Sequence, residues 1–152
     1  IVGLCFAVKP NHGWYVPVGH RYDGCPQQLD KAHVLRALRP ILESPKYKKF
    51  GHNIKYDFMV FFNEGIELQG IAFDSMLAAY ALDPSKRNYS MDSLALELLQ
   101  RTTIHYEEVA GKGAKQMGFE QVSIERATEY AAEDADITLR LWKLFKPQLH
   151  QH

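Results

Sequence analysis

From Ser123 to about Leu149 the chain repeats apolar residues at helical spacing. Ala127, Ala131, Thr138, Leu141, Trp142 and Phe145 share one face at ~100° per residue. Asp134 falls on that same face, with Tyr130 one turn before it. Glu125, Glu129, Asp136 and Lys143 take the other side, where solvated charges belong, and Glu133 is also expected to face solvent. The opening run IVGLCFAV reads as a strand. WYVPV, after the turn Pro10-Asn11-His12-Gly13, reads as its hairpin partner. Residues 31 to 43 read as a helix capped by Asp30 that buries Val34, Leu35, Leu38, Ile41 and Leu42, with Pro40 disturbing the last turn. A strand YKKFGHN leads into a helix IKYDFMVFFNEG, capped by Asn53 and ended by Gly65. A strand ELQGIAF leads to Asp74, the cap of a helix SMLAAYAL that stops near Pro84. After a polar loop over 83 to 90, the helix MDSLALELL follows Ser90, and residues 100 to 121 are expected to be mostly irregular. Hairpin strands followed by strands interleaved with helices predict a single α/β domain with a mixed sheet.

Composition narrows the partners. Eighteen basic residues balance eighteen acidic ones, so any surface that binds phosphate must be local. Cys5 and Cys25 have neither metal-ligand nor disulfide-framework spacing, which suggests an intracellular protein. There is no signal-peptide pattern and no run of 18 apolar residues, so no membrane association is expected. The seven histidines show no ligand spacing and read as scattered polar residues. The chain opens directly on a strand and ends in LHQH without a helix stop signal, so it is expected to be a piece of a longer polypeptide.

The chemistry lies in two misplaced carboxylates. An ionised carboxylate facing a core costs several kcal/mol unless a cation, a metal or several donors compensate it. Asp134 is one such group. Asp57 is the second, sharing a helix face with Asn53, Ile54, Val60 and Phe61. Each could meet a Lys or Arg. Together, on separate elements, they suit Mg²⁺ or Mn²⁺, hard cations that prefer oxygen ligands, and two-metal sites of this kind assist in-line displacement at phosphorus. Tyr130 places a hydroxyl beside Asp134, where it can orient a water or serve as an ordinary core tyrosine.

The segments GHNIKYD (51 to 57) and YAAEDAD (130 to 136), with GIAFDSML, YSMDSLA and YEEVAGKG between them, resemble the 3′→5′ proofreading exonuclease domain of bacterial family A DNA polymerases, the polymerase I type. This is a DEDD exonuclease of the tyrosine subtype with a ribonuclease H-like fold. The match runs in order over nearly the whole chain. The resemblance implies two-metal hydrolysis of 3′-terminal phosphodiesters, releasing a deoxynucleoside 5′-monophosphate. It implies Asp57 and Asp134 as metal ligands and Tyr130 as the residue that positions the water. His52, Asn53 and Tyr56 are implied as contacts of the terminal nucleotides, although the family commonly has Gln at the His52 position. Tyr106 is implied as an aromatic surface for the terminal base, where Phe is common. The implied partners are a single-stranded DNA 3′ end and a covalently linked polymerase domain, in a bacterial cytoplasm near the nucleoid, without oligomerisation.

One departure is large. The family's first motif, DxE, lies on a central strand that should precede IVGLCFAV, so that strand and KKFGHN are expected to lack their shared neighbour. The alternatives are a non-catalytic domain that supports a polymerase or binds single strands, and a stand-alone ribonuclease. The loop AGKGAK lacks the spacing of a nucleotide P-loop. Lys112, Lys115, Arg87 and Lys55 could guide a strand, but the sequence does not place them on one surface.

Overall fold

The structure is a computed structural model that describes residues 1–149; the rest of LHQH, residues 150–152, lies outside the described residues. The opening hairpin forms as expected. β1 (Gly3–Lys9) runs antiparallel to β2 (His12–Pro17), with Phe6 opposite Trp14 and a bulge between Ala7 and Lys9. Helix α1 (Lys31–Leu42) starts at Asp30, whose carboxylate accepts the His33 N–H at 2.8 Å. It buries Val34, Leu35 and Leu42. Ile41 is 47% exposed instead, because it lies in the last turn at the rim of the stripe.

Next come β3 (Lys49–Gly51), α2 (Ile54–Asn63), β4 (Ile71–Asp74), α3 (Ser75–Leu82) and α4 (Met91–Leu99). Phe50 pairs with Phe73 and Gly51 with Asp74 in the parallel β3–β4 pair. The expected mixed sheet is therefore present as two two-stranded sheets, one antiparallel and one parallel. Among the described residues β1 and β3 are not hydrogen-bonded to each other or to a common strand.

A helix, α5 (Tyr106–Ala110), interrupts the stretch expected to be irregular, followed by 3₁₀ turns at Gly113–Lys115 and Phe119–Gln121. Five residues make too few turns for hydrophobic periodicity to show, and so short a helix has no stability of its own.

Helix α6 (Ile124–Leu149) is the spine, packing on both strand pairs and on α3, α4 and α5. Ala127, Ala131, Leu141 and Phe145 are buried as their spacing predicts. Trp142 stacks on Phe50 with ring centres 4.3 Å apart, fastening the β3–β4 pair to the helix. Core side chains gather in three clusters: between the hairpin, α1 and α2; between α3, α4 and α6; and around α5. Among the described residues no helix is long and apolar enough to cross a membrane.

Two acidic residues of α6 depart from expectation. Asp136 is only 7% exposed; it accepts the Asn11 N–H at 2.8 Å and the Arg140 guanidinium at 2.7 Å, and Arg140 also reaches the Asn11 side chain. Glu133 is half-buried and accepts the Ile104 N–H at 2.7 Å. Periodicity identifies the apolar face of a helix, but the hairpin turn and the segment before α5 cover further faces through polar contacts. The hairpin comes so close that a Cβ on Gly13 would lie 2.2 Å from the Ala132 carbonyl oxygen. His20 is likewise no scattered polar residue. It is buried between the Tyr15 hydroxyl at 2.7 Å and the Val122 carbonyl at 2.9 Å, and burial holds its pKa below the ordinary value.

Candidate active site

The entry to α2 is built around Asp74. Its carboxylate accepts the Met76 and Leu77 N–H groups at 2.8 and 3.2 Å, as expected of the cap of α3. It also accepts the Asn53 and Ile54 N–H groups at 3.1 and 2.9 Å, so one side chain caps two helices. Asn53, the expected cap of α2, makes no side-chain capping bond and sits in the left-handed region at φ 58°. Its amide is thereby left out of the helix start. The parallel pairing of Gly51 with Asp74 puts this carboxylate across from the α2 N-terminus, and α2 then carries Asp57 one turn further on.

Asp57 and Asp134 approach a common neighbour. The Cys5 thiol on β1 is pushed up to about 12, first by burial and then by the charges of Asp134 and Asp57. Both carboxylates therefore act on the same strand, and Cys5 and Asp57 are exposed to solvent. Nothing in the spacing of Cys5 signals this position. It follows only from how β1 lies against α2 and α6.

The electrostatics of the two carboxylates are one-sided. Burial pushes the Asp134 carboxyl up to about 7; the Tyr130 hydroxyl opposes the shift, while the carboxylates of Asp92 and Glu133 add to it. Burial also raises Asp57, with Asp74 adding to the effect and its own backbone hydrogen bond opposing it. Among the described residues neither carboxylate has a Lys or Arg within ion-pair distance. The simplest alternative to a metal site is thus not realised. Burial, followed by the neighbouring Asp134, raises the Tyr130 phenol.

The donor chemistry fits a hard divalent cation: carboxylate oxygens short of positive charge. The number of donors does not complete a site, because among the described residues no three His, Cys, Asp or Glu side chains are grouped to hold an ion.

Stability should reflect this imbalance. Asp134 holds its proton more tightly in the folded chain than at its ordinary value of 3.8, so its contribution to stability is present at low pH. That contribution is lost as pH rises from about 4 to about 7. In urea titrations without divalent ions, Asp134→Asn should gain on the parent chain steadily over that interval. A constant difference between the two would remove Asp134 as the source of the strain.

Tyr106 is 38% exposed, lies nearly parallel to Phe119 at 6.1 Å between ring centres, and meets Tyr130 edge-on at 6.1 Å. An aromatic surface thus adjoins Asp134 through Tyr130. Tyr56 is 67% exposed on α2. His52 turns inward, with Nδ1 2.8 Å from Ser75 Oγ and Nε2 shielded from solvent without a partner among the described residues. Burial holds its pKa below the ordinary value, against the opposing pull of Asp74 and Asp92.

Arg87, Lys55, Lys112 and Lys115 are exposed, and Lys112 is paired with Glu107 at 3.0 Å. Asp92, unremarked in the sequence, opens α4 and accepts from Thr103 at 2.7 Å and His105 at 2.9 Å while its charge reaches Asp134. Its position depends on the packing of α4 against α6, which no motif announces.

The sequence profile of the 3′-5′ exonuclease family matches residues 4–150. DNA polymerase I of Pseudomonas aeruginosa is 53% identical over 143 residues, which is 93% of this chain and 16% of that protein. DNA polymerase I of Chloroflexus aurantiacus is 39% identical over 150 residues, 98% of this chain and 15% of that protein. The chain therefore spans about one sixth of the length of these relatives. A solved structure described as the POL domain of Pol1 from M. smegmatis in complex with DNA primer-template and dNTP shares the fold, with a TM-score of 0.63 at 22% identity. It covers 92% of this chain and 21% of that one. Matched by the family profile from β1 to α6, the chain belongs to the 3′-5′ exonuclease family.

Proposed function

We propose that this chain is the proofreading exonuclease domain of a larger polymerase, hydrolysing the 3′-terminal phosphodiester of single-stranded DNA and releasing a deoxynucleoside 5′-monophosphate. The observation that supports it most is that Asp134 is desolvated beside Tyr130, which Tyr106 meets edge-on, and that among the described residues neither it nor Asp57 has a Lys or Arg partner. In this reading the two carboxylates form part of the ligand set for Mg²⁺ or Mn²⁺, and a DxE strand supplies the rest. The ions, when bound, stabilise negative charge developing at phosphorus.

The chain's own residues do the positioning. Tyr130 keeps its phenolic proton at neutral pH, since burial and Asp134 both oppose its loss, and so it can donate to a phosphate oxygen or hold a water in line. Tyr106 offers its face to the terminal base, a contact tolerant of base identity. Asn53, with its amide free of capping, and the exposed Tyr56 lie where a strand approaching Asp57 would pass. His52 would act on nucleotides through the loop it braces against Ser75.

The test is a 5′-labelled single-stranded DNA incubated with Mg²⁺, Mn²⁺ or chelator, using the chain alone and joined behind a DxE-bearing strand. A metal-dependent ladder shortening from the 3′ end, stronger in the joined form, is expected. Binding without cleavage in both forms would favour the non-catalytic reading. Tyr130→Phe should slow the cleaving form by about tenfold, less than the ~10²–10⁴-fold of a group that transfers a proton, because Tyr130 only orients its neighbour. An unchanged rate would reduce Tyr130 to packing.

A further inference from the structure

The stacking residue Tyr106 opens a helix too short to orient itself. Three side-chain hydrogen bonds surround its entry. The Ile104 N–H donates to Glu133 of α6 at 2.7 Å, and the His105 N–H donates to Glu108 at 2.7 Å. The His105 ring donates through Nδ1 to Asp92 of α4 at 2.9 Å. Since a carboxylate only accepts, Nδ1 must carry the proton. Asp92 is itself held by the Thr103 hydroxyl at 2.7 Å, so the pair bridges the start of α4 to the start of α5. Of these three bonds, that of the His105 ring contains a group that changes charge near neutral pH.

We propose that His105 is a positioning residue for nucleic-acid binding: through Asp92 it holds the start of α5 so that Tyr106 faces a terminal base, and its protonation tightens that hold. The inference rests on the reading of Tyr106 as a stacking surface. It concerns His105, which no motif singles out. The groups that face His105 are Asp92 from α4 and Glu107 and Glu108 from α5; all are acidic and all favour its charged form. Asp92 is the largest influence, and the His105 pKa lies above its ordinary value. Deprotonation leaves a neutral N–H donor in place, but the charge-assisted bond is roughly twice as strong as the neutral one. Affinity should therefore weaken without being lost.

The experiment is fluorescence anisotropy of a labelled single-stranded oligonucleotide with the chain, in chelator, across the titration of His105. Parent affinity should fall by about three- to tenfold as pH rises, the scale expected when one charge-assisted hydrogen bond becomes neutral. His105→Gln, which keeps a donor without a titrating charge, should lose that dependence. Asp92→Asn should lose it too, which distinguishes bridging from direct contact of a charged His105 with phosphate; direct contact would survive the Asp92 change. If both variants follow the parent profile, the positioning role is overturned. Tyr106→Ala separates this from the underlying reading. Weak binding by Tyr106→Ala together with an unaltered profile in His105→Gln removes the His105 inference alone. Parent-like binding by Tyr106→Ala removes the stacking surface and the inference with it.

Discussion

Alanine at Asp134 is expected to slow 3′-terminal hydrolysis by roughly 10²–10³-fold in the cleaving form, the effect of losing several kcal/mol of transition-state stabilisation. Asp57→Ala should do the same. Both carboxylates are held away from positive charge at the cost of raised pKa values, and fold stability alone gives no reason for that arrangement. Affinity for a single strand should change by no more than about threefold, because stacking on Tyr106 does not depend on either carboxylate. The loss should therefore appear in kcat, with KM nearly unchanged. Asp134→Ala should also be more stable than the parent above neutral pH, since it removes a desolvated charge; such gains are common where a site is strained for function. Near-normal cleavage by both variants would end the proposed roles. A fall confined to KM would move them from chemistry to binding.

The largest loss of stability is expected at Asp74. Substituting a single N-cap costs about 0.5–2 kcal/mol, and this carboxylate caps α2 and α3 together, so Asp74→Ala should cost about 1–4 kcal/mol in urea unfolding. Asp74→Asn should recover part of that, since the amide keeps one acceptor oxygen. The functional consequence follows from the same geometry. Without the shared cap, Asn53 has no reason to remain at a positive φ, and the first turn of α2, which carries Asp57, loses its anchor. Cleavage by Asp74→Ala should therefore fall even below its unfolding temperature, while Ser90→Ala, which removes the cap of α4 alone, should cost only about 1 kcal/mol. Equal losses in the two variants would mean that Asp74 serves one helix in solution.

Much of this was legible in the pattern of residues. The caps Asp30 and Asp74 appear where expected, because a cap is a local contract between a side chain and the next two or three N–H groups. The anomaly of Asp134 on an apolar helix face was visible for a similar reason: helical period is local, and a charge out of phase with it stands out. Helix α5 was not visible, because five residues cannot display a period. Asp136 and Glu133 were assigned to solvent and are instead tied to Asn11 and Ile104. Period reports which face is apolar and says nothing of polar faces that a distant loop covers.

The sequence by itself determined the elements, their order, the two carboxylates at odds with their surroundings, and the motif spacing shared with an exonuclease family. These are properties of neighbouring residues and of characters in order. Only the tertiary structure decided that Cys5 on β1 feels the charge of both carboxylates, that Asp74 serves two helices, that His52 turns inward, and that His105 bridges α5 to Asp92. Each of these joins residues far apart in the chain through packing on α6 or through parallel strand pairing. Such contacts are set by how whole elements dock, and no local pattern encodes the docking.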